Sequence, residues 1–247
     1  MSIHKAAELL RHSSNTVVLT GAGISTPSGI PDFRSNGDGL WNKVDPMHVA
    51  SLETFRTHPE NFFDWIRPLA QKITNAKPNA AHIALSEMEQ RGFVSSIITQ
   101  NIDRLHHDAG SKIVHEIHGN VGTMTCVSCY RKESSAKHMI LFFEDGLLPK
   151  CPHCGHILKP DAILFGEQLP VKTWQASETA VKDCDVLMVA GSSLEVMPVA
   201  GLPMQALNKG AKLIILNHTP TYINNRASVV INDDLATILP IIANELH

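Results

Sequence analysis

Residues 20–35 read TGAGISTPSGIPDFRS and directly follow the apolar run Thr16-Val17-Val18-Leu19. An apolar strand that ends in closely spaced glycines resembles the opening of a nucleotide-binding fold, where backbone N–H groups point at phosphate. In that fold the glycines lead into a long helix. Here Pro27, Gly29 and Pro31 break any helix at once, and an acid, an aromatic and a base follow as Asp32, Phe33 and Arg34. The stretch therefore reads as a strand followed by a loop able to fold over a ligand. Gly21, Ala22 and Gly23 serve either close approach to a pyrophosphate or an ordinary tight turn. Asp32 and Arg34 alternatively make a solvated ion pair, worth little, whereas the ring of Phe33 has to be buried somewhere.

Working outward, short apolar strands alternate with helical patterns. An amphipathic helix is expected near residues 3–11, a strand at 16–20, a helix at 79–90 stopped by Gly92, and a strand at 93–99. A short apolar run follows at 113–117, then strands at 162–165, 185–190 and 212–217, with helices at 171–183, 198–209 and 233–246. That alternation predicts an α/β fold, a parallel sheet covered by helices on both faces. Two segments break the rhythm. Residues 37–75 are helical and turn-like, anchored by Phe55, Phe62, Phe63 and Trp65, and residues 120–160 carry cysteine pairs with little periodicity. Both read as insertions that pack together as a smaller domain.

Composition narrows the class. The chain has 247 residues and a net charge of −3, enough for a real core and without a global basic field for nucleic acid. No apolar run reaches the roughly 18 residues that span a bilayer, and the start of the chain lacks the apolar stretch of a signal peptide. A cytoplasmic protein is expected. Four of the five cysteines form two Cys-x-x-Cys pairs, Cys126/Cys129 and Cys151/Cys154. In a reducing compartment this spacing favours a tetrahedral zinc site, and with four thiolates in place no position is open for substrate, so the metal is structural. His153 and His156 are bystanders or alternative ligands. Cys184 precedes a buried-looking strand and reads as a core residue.

Three further clusters sit at strand ends, where open parallel sheets bind ligands. In TQNIDRLHHDAG, residues 99–110, the amides of Gln100 and Asn101 suit a carboxamide or ribose hydroxyls, and Asp103 is a ligand or a helix cap. In VHEIHGN, residues 114–120, His118 is a candidate general base, with His106 and His107 as rivals. In AGSSLEVMP, residues 190–198, Gly191, Ser192 and Ser193 offer a second phosphate or ribose contact or form an ordinary turn, and Asn217 ends the next strand. Gly166 in ILFGEQLP marks close approach of another backbone.

Taken in order, GAGIS, SGIPDFRS, TQNID, HGN, the two cysteine pairs, FGE and GSSLEV resemble the sirtuin family of NAD-dependent protein lysine deacylases. The resemblance covers nearly the whole chain, and the short flanks suit a prokaryotic-type minimal catalytic core. It implies a Rossmann-type NAD-binding domain from residues 1–36, 76–119 and 160–247. The small domain would combine a helical insertion, 37–75, with a zinc-binding module, 120–159.

By the same resemblance, the loop 25–35 closes over NAD, with Gly21, Ala22 and Gly23 at the phosphates, Phe33 shielding the reacting ribose and Arg34 near the phosphates. Asp32 fixes the loop, and Ser25, Ile102, Gly191, Ser192, Ser193, Asn217 and Ala236 complete the cofactor contacts. The acyl oxygen attacks the anomeric carbon as nicotinamide leaves. Asp103 holds the carboxamide, Asn101 positions ribose and a water, Gln100 binds a ribose hydroxyl and His118 is the general base. The acetyl group ends on ADP-ribose. The acetyl-lysine peptide lies as an added strand against Ile163, Phe165, Gly166, Glu167 and Val196. Members that remove acidic acyl groups carry a Tyr-x-x-Arg pair, and here Ile66 and Leu69 stand there, so a neutral acyl group, acetyl first, is expected. Arg104 departs from the family's usual Gly and adds charge at the pocket mouth.

Two other readings exist. An ADP-ribosyltransferase or NAD glycohydrolase would share the first step, but a simple NAD hydrolase has no need of His118 or of peptide-binding strands. A zinc-ribbon nucleic-acid module would need more than Arg131, Lys132, Lys137 and Lys159, which are too sparse for a phosphate track.

Overall fold

The computed structural model describes residues 2–32 and 44–246. Phe33 and Arg34 lie outside the described residues. Six strands form one parallel sheet: β1 (Thr16–Thr20), β2 (Ser96–Thr99), β3 (Val114–Glu116), β7 (Val186–Ala190), β8 (Lys212–Leu216) and β9 (Val229–Ile231). Their order is β3-β2-β1-β7-β8-β9. In β1, Leu19 pairs with Ile98 of β2 on one side and Val189 of β7 on the other. The chain runs outward from β1 through β2 to β3, then crosses back to β7 on the other side of β1 and continues the opposite way, so a crevice opens at the carboxyl ends of β1 and β7.

Both faces of the sheet are covered, which is why the central strands β1 and β7 are buried along their length and read as apolar runs. Side chains alternate between faces with a period of two. Val18, Ile97, Met188 and Ile214 join one core with α1 (Ser2–Arg11), α5 (Ala80–Gln90) and α10 (Leu235–Glu245). Val17, Leu19, Ile98, Leu187, Val189 and Ile215 join the other with α8 (Val171–Asp183) and α9 (Leu202–Asn208). Two of these helices start on side-chain caps. Asn79 caps α5 by accepting from Ala81 N, and Asp234 caps α10 by accepting from Ala236 N.

A third core joins the two irregular segments. It unites Phe55, Phe62, Phe63 and Leu69 from α3 (Leu52–Thr57) and α4 (Pro59–Asn75) with Met124, Phe142 and Leu158. The rings of Phe63 and Phe142 lie 5.4 Å apart, and the Arg67 guanidinium stacks 4.1 Å above Phe142. Residues 120–160 are more ordered than their sequence suggests. They hold three short antiparallel strands, β4 (Thr123–Cys126), β5 (Lys132–Ser134) and β6 (Leu158–Pro160), and the helix α7 (Ser135–Asp145). Strands this short carry no legible periodicity.

The other expectations shift at their edges. The strand expected at 93–99 begins only at Ser96, because the turn at Gly92 takes up Phe93 and Val94. The helix at 198–209 splits into a 3-10 turn, Val199–Gly201, and α9. The strand at 162–165 is absent from the sheet; Phe165 instead makes an isolated parallel bridge to Ser51. β9 was not anticipated. Among the described residues no helix is long and apolar enough to cross a membrane.

Candidate active site

The crevice at the carboxyl end of β1 is built from two loops in backbone contact. A Cβ placed on Gly21 would meet Gly191 O at 2.8 Å, and one on Gly23 would meet Gly191 Cα at 2.9 Å. Gly191 itself sits at φ +68°, and a Cβ there would meet Ile24 N at 2.5 Å. The N–H groups of Gly21 and Gly23 donate to Ala190 O and Gly191 O, at 3.2 and 2.9 Å. Here the glycines serve first the approach of the β1 and β7 loops, and the expectation that their N–H groups point at phosphate does not hold for these two.

The next layer is a buried polar cluster. Ser25 Oγ donates to Asp103 Oδ2 at 2.7 Å and accepts from Asn101 Nδ2 at 3.0 Å. Asn101 Nδ2 also donates to Gly21 O at 3.1 Å. Asp103 Oδ1 accepts from Leu105 N at 2.9 Å, so Asp103 braces the turn into the helix at Leu105–Asp108, whose cap position is Arg104, and is also a wall of the crevice. Burial pushes its carboxyl above the ordinary 3.8, against the pull of the Ser25 and Leu105 hydrogen bonds. Asn101 and Asp103 are both buried, while Ser25 stands behind them rather than on the cavity wall.

His118 follows β3. Its Nδ1 lies 3.1 Å from Gln100 O. A carbonyl only accepts, so Nδ1 carries the proton and Nε2 the lone pair. Gln100 is itself fixed: its N donates to Thr20 O at 3.0 Å and its Nε2 to Ser192 Oγ at 2.7 Å. Ends of β1, β2, β3 and β7 are thus linked around one point. The rivals lie elsewhere. His106 is buried with Nε2 3.0 Å from Thr20 Oγ1, and burial pushes its pKa well below the ordinary value. His107 faces Glu116 at 3.5 Å.

These residues share one cavity of about 1010 Å³, at the top of the usual range for ligand sites. Its wall includes Gly21, Ala22, Gly23, Asp32, Gln100, Asn101, Ile102, Asp103 and His118 from the first loops, and Gly191, Ser192, Ser193 and Asn217 from the later ones. Ala236 is not on it; its N–H completes the α10 cap. Thr26, His218 and Thr219 are on the wall and were not anticipated. The last two adjoin Asn217, so the end of β8 was the available signal.

The cavity continues between residues 163–167 and 195–197, so Ile163, Phe165, Gly166, Glu167 and Val196 all line it. Phe165 already uses both backbone groups, donating to Ala50 O and accepting from Leu52 N at 2.9 Å each. Gly166 is at φ +79°. Glu167 pairs with Lys159 at 3.0 Å and accepts from Leu164 N. Ile66 and Leu69 reach the wall from α4, whereas Arg67 is held over Phe142. Arg104 also lines it; it occupies the left-handed region at φ 68°, where Gly is ordinarily favoured, and lies against Gly122.

Apart from this cavity, the sulfurs of Cys126, Cys129, Cys151 and Cys154 lie within 4.8 Å of one another. Neighbouring pairs stand 3.4, 3.5 and 3.7 Å apart. Tetrahedral zinc with Zn–S bonds of about 2.3 Å sets sulfurs about 3.8 Å apart, so the four residues fit the metal. His153 and His156 are exposed and outside the cluster. Cys184 is buried in the core shared with α8 and α9, its thiol pushed up to about 11 by burial, as a core residue should be.

Comparison with known proteins agrees with this geometry. Residues 21–198 match the model of the Sir2 family. The chain is 43% identical over 245 residues to NAD-dependent protein deacylase 2 of Archaeoglobus fulgidus, covering 99% of this chain and 96% of that one. It is 45% identical over 229 residues to NAD-dependent protein deacetylase 2 of Caldanaerobacter subterraneus, covering 93% and 90%. Among solved structures it is similar to a Sir2 enzyme with TM-score 0.91 and 42% identity, covering 99% and 97%. A Sir2 complex with a p53 peptide and NAD+ gives TM-score 0.89 and 36% identity, covering 99% and 98%.

Proposed function

The chain belongs to the Sir2 family and is an NAD-dependent protein lysine deacetylase, and on that premise we propose how its residues divide the work. NAD, when bound, supplies the electrophilic ribose carbon and the leaving nicotinamide. The observation that carries the assignment is the His118–Gln100 contact, because it sets the base's tautomer at the point where four strand ends meet. His118 accepts a ribose hydroxyl proton at Nε2. Asp103 uses one lone pair on each oxygen for Ser25 and Leu105, and its remaining lone pairs accept from a carboxamide. Asn101 spends Nδ2 on Gly21 and Ser25, so Oδ1 is the atom available to orient a water or a ribose hydroxyl. Gln100 acts through Ser192, ordering the β7 loop.

The substrate is an acetylated peptide. It adds as a strand opposite the edge of Phe165 that Ala50 and Leu52 occupy, pairing through Gly166. With Arg67 held by Phe142, no cation from α4 meets the acyl group, and an acetyl group is favoured over an acidic one. The domain division is 1–36, 76–119 and 160–247 for NAD, against 37–75 and 120–159 for the small domain; the separate core of the latter supports it. Zinc holds that module's knuckles together. Unpaired thiols placed for a metal suit a reducing compartment, so the protein works in the cytoplasm.

The test is mass spectrometry of an acetyl-lysine peptide incubated with and without NAD. Loss of the acetyl group only with NAD, together with O-acetyl-ADP-ribose, is expected. Intact peptide with NAD converted to ADP-ribose would overturn the reading in favour of a glycohydrolase.

A further inference from the structure

Beyond the cavity, a second groove of about 380 Å³ lies where α8 faces the loop after residue 197. One wall is the helix: Val171, Trp174, Gln175 and Glu178 line it. Trp174 and Glu178 are four residues apart and so share a helix face. The opposite wall is Leu169 and Pro198. The groove continues the peptide cleft at both of its edges. Leu169 lines both spaces, and Pro198 follows Met197, which lines the cleft and is 71% exposed.

The lining has a definite chemistry. It offers aliphatic surface, an indole that packs against the core, the side-chain amides of Gln168 and Gln175, and one carboxylate. Among the described residues no Lys, Arg or His lines it, and no ion pair involves Glu178. A purely apolar side chain seated here would strip water from that carboxylate with nothing in return. A long aliphatic stem with a cationic head would cover Leu169 and Pro198, stack on Trp174 and bring its charge to Glu178.

We propose that this groove is a specificity subsite of the peptide cleft, which takes an arginine or lysine side chain of the substrate a few residues from the acetyl-lysine. The proposal rests on the peptide path between residues 163–167 and 195–197 given above. Glu178 and Trp174 touch the substrate but not the reacting atoms, so they set KM and leave kcat alone.

The experiment uses the full chain and a set of fluorescein-labelled acetyl-lysine peptides. Each carries Arg, Leu, Glu or Ala at a single position from one to five residues on either side, and both anisotropy binding and NAD-dependent turnover are read. At one position Arg should bind and lower KM roughly three- to ten-fold relative to Ala, with kcat unchanged and Glu weakest. In Glu178→Gln that advantage should fall to the level of Ala, while the Ala peptide behaves as before. Trp174→Phe should keep part of it. Leu outranking Arg, no position distinguishing Arg from Ala, or an Arg advantage untouched in Glu178→Gln would overturn the subsite. Arg-selective binding lost in Glu178→Gln, with no turnover of any peptide, would leave the subsite standing and overturn the deacetylase reading instead.

Discussion

The imidazole Nδ1 of His118 lies 3.1 Å from the backbone carbonyl of Gln100, and Gln100 in turn reaches Ser192 through its side chain at 2.7 Å. A residue at the end of β3 is thereby oriented by the end of β2, which is tied to the loop after β7. His118→Ala should reduce kcat by about 10²- to 10⁴-fold, the usual contribution of a positioned general base. Its thermal transition should move little, because His118 is only half-buried. Turnover and melting, measured together, check this, and an active His118→Ala enzyme would remove the proposed base.

Asp103 gives a prediction with a pH sign. Burial raises its carboxyl pKa in the fold, so ionising it costs stability. Below the unfolded value near 3.9 the carboxyl is protonated in both states and this cost is absent. As pH rises through the raised folded value, the cost is reached in full. Asp103→Asn should therefore be more stable than the wild type at neutral pH, with the advantage shrinking toward pH 4, while its deacetylation collapses. Urea denaturation at several pH values reads the first effect. A variant less stable than wild type at pH 7 would show that the Ser25 and Leu105 hydrogen bonds outweigh the buried charge.

Gly191 tests the loop contact. Alanine there meets both a left-handed backbone and Ile24 N at 2.5 Å. Gly191→Ala should lose about 1–3 kcal/mol of stability from strain and overpacking, and the β1 loop it displaces should weaken NAD binding. Chemical denaturation and calorimetry with NAD measure the two effects, and a neutral outcome in both would mean that the loops are not in contact.

Cys151 is a proposed zinc ligand and part of the core shared with α4. Cys151→Ala should lose bound zinc and melt the small domain, and a strong chelator should do the same to the wild type. Metal analysis with circular dichroism follows both. A stable, zinc-free and active Cys151→Ala protein would exclude a structural metal.

Much of the sheet was legible because a strand buried on both faces is an uninterrupted apolar run, as at residues 16–20 and 186–190. β9 was missed because Val229-Val230-Ile231 is three residues at the sheet's edge, too short for any period to show. The stretch 162–165 was overread for the converse reason. It is apolar and extended, but its backbone pairs with Ala50 and Leu52, residues that no local pattern links to it. Ser25 was expected as a cofactor contact from the family resemblance alone. That it is the hub joining Asn101 and Asp103 depends on contacts 76 and 78 residues away in the chain.

The sequence by itself determined the strand and helix alternation around β1, β2, β7 and β8, the strand-end positions of the site residues and the zinc ligands. Those follow from periodicity, from glycine and proline stops, and from the fixed spacing that a tetrahedral metal demands. Only the tertiary structure decided that Gly21 and Gly23 make room for Gly191, that the Gln100 carbonyl sets the tautomer of His118, and that Arg67 is held over Phe142. Each of these is a contact between segments distant in the chain. Its geometry is fixed by the register of the parallel strands and by close packing, and neither is written in any single stretch of residues.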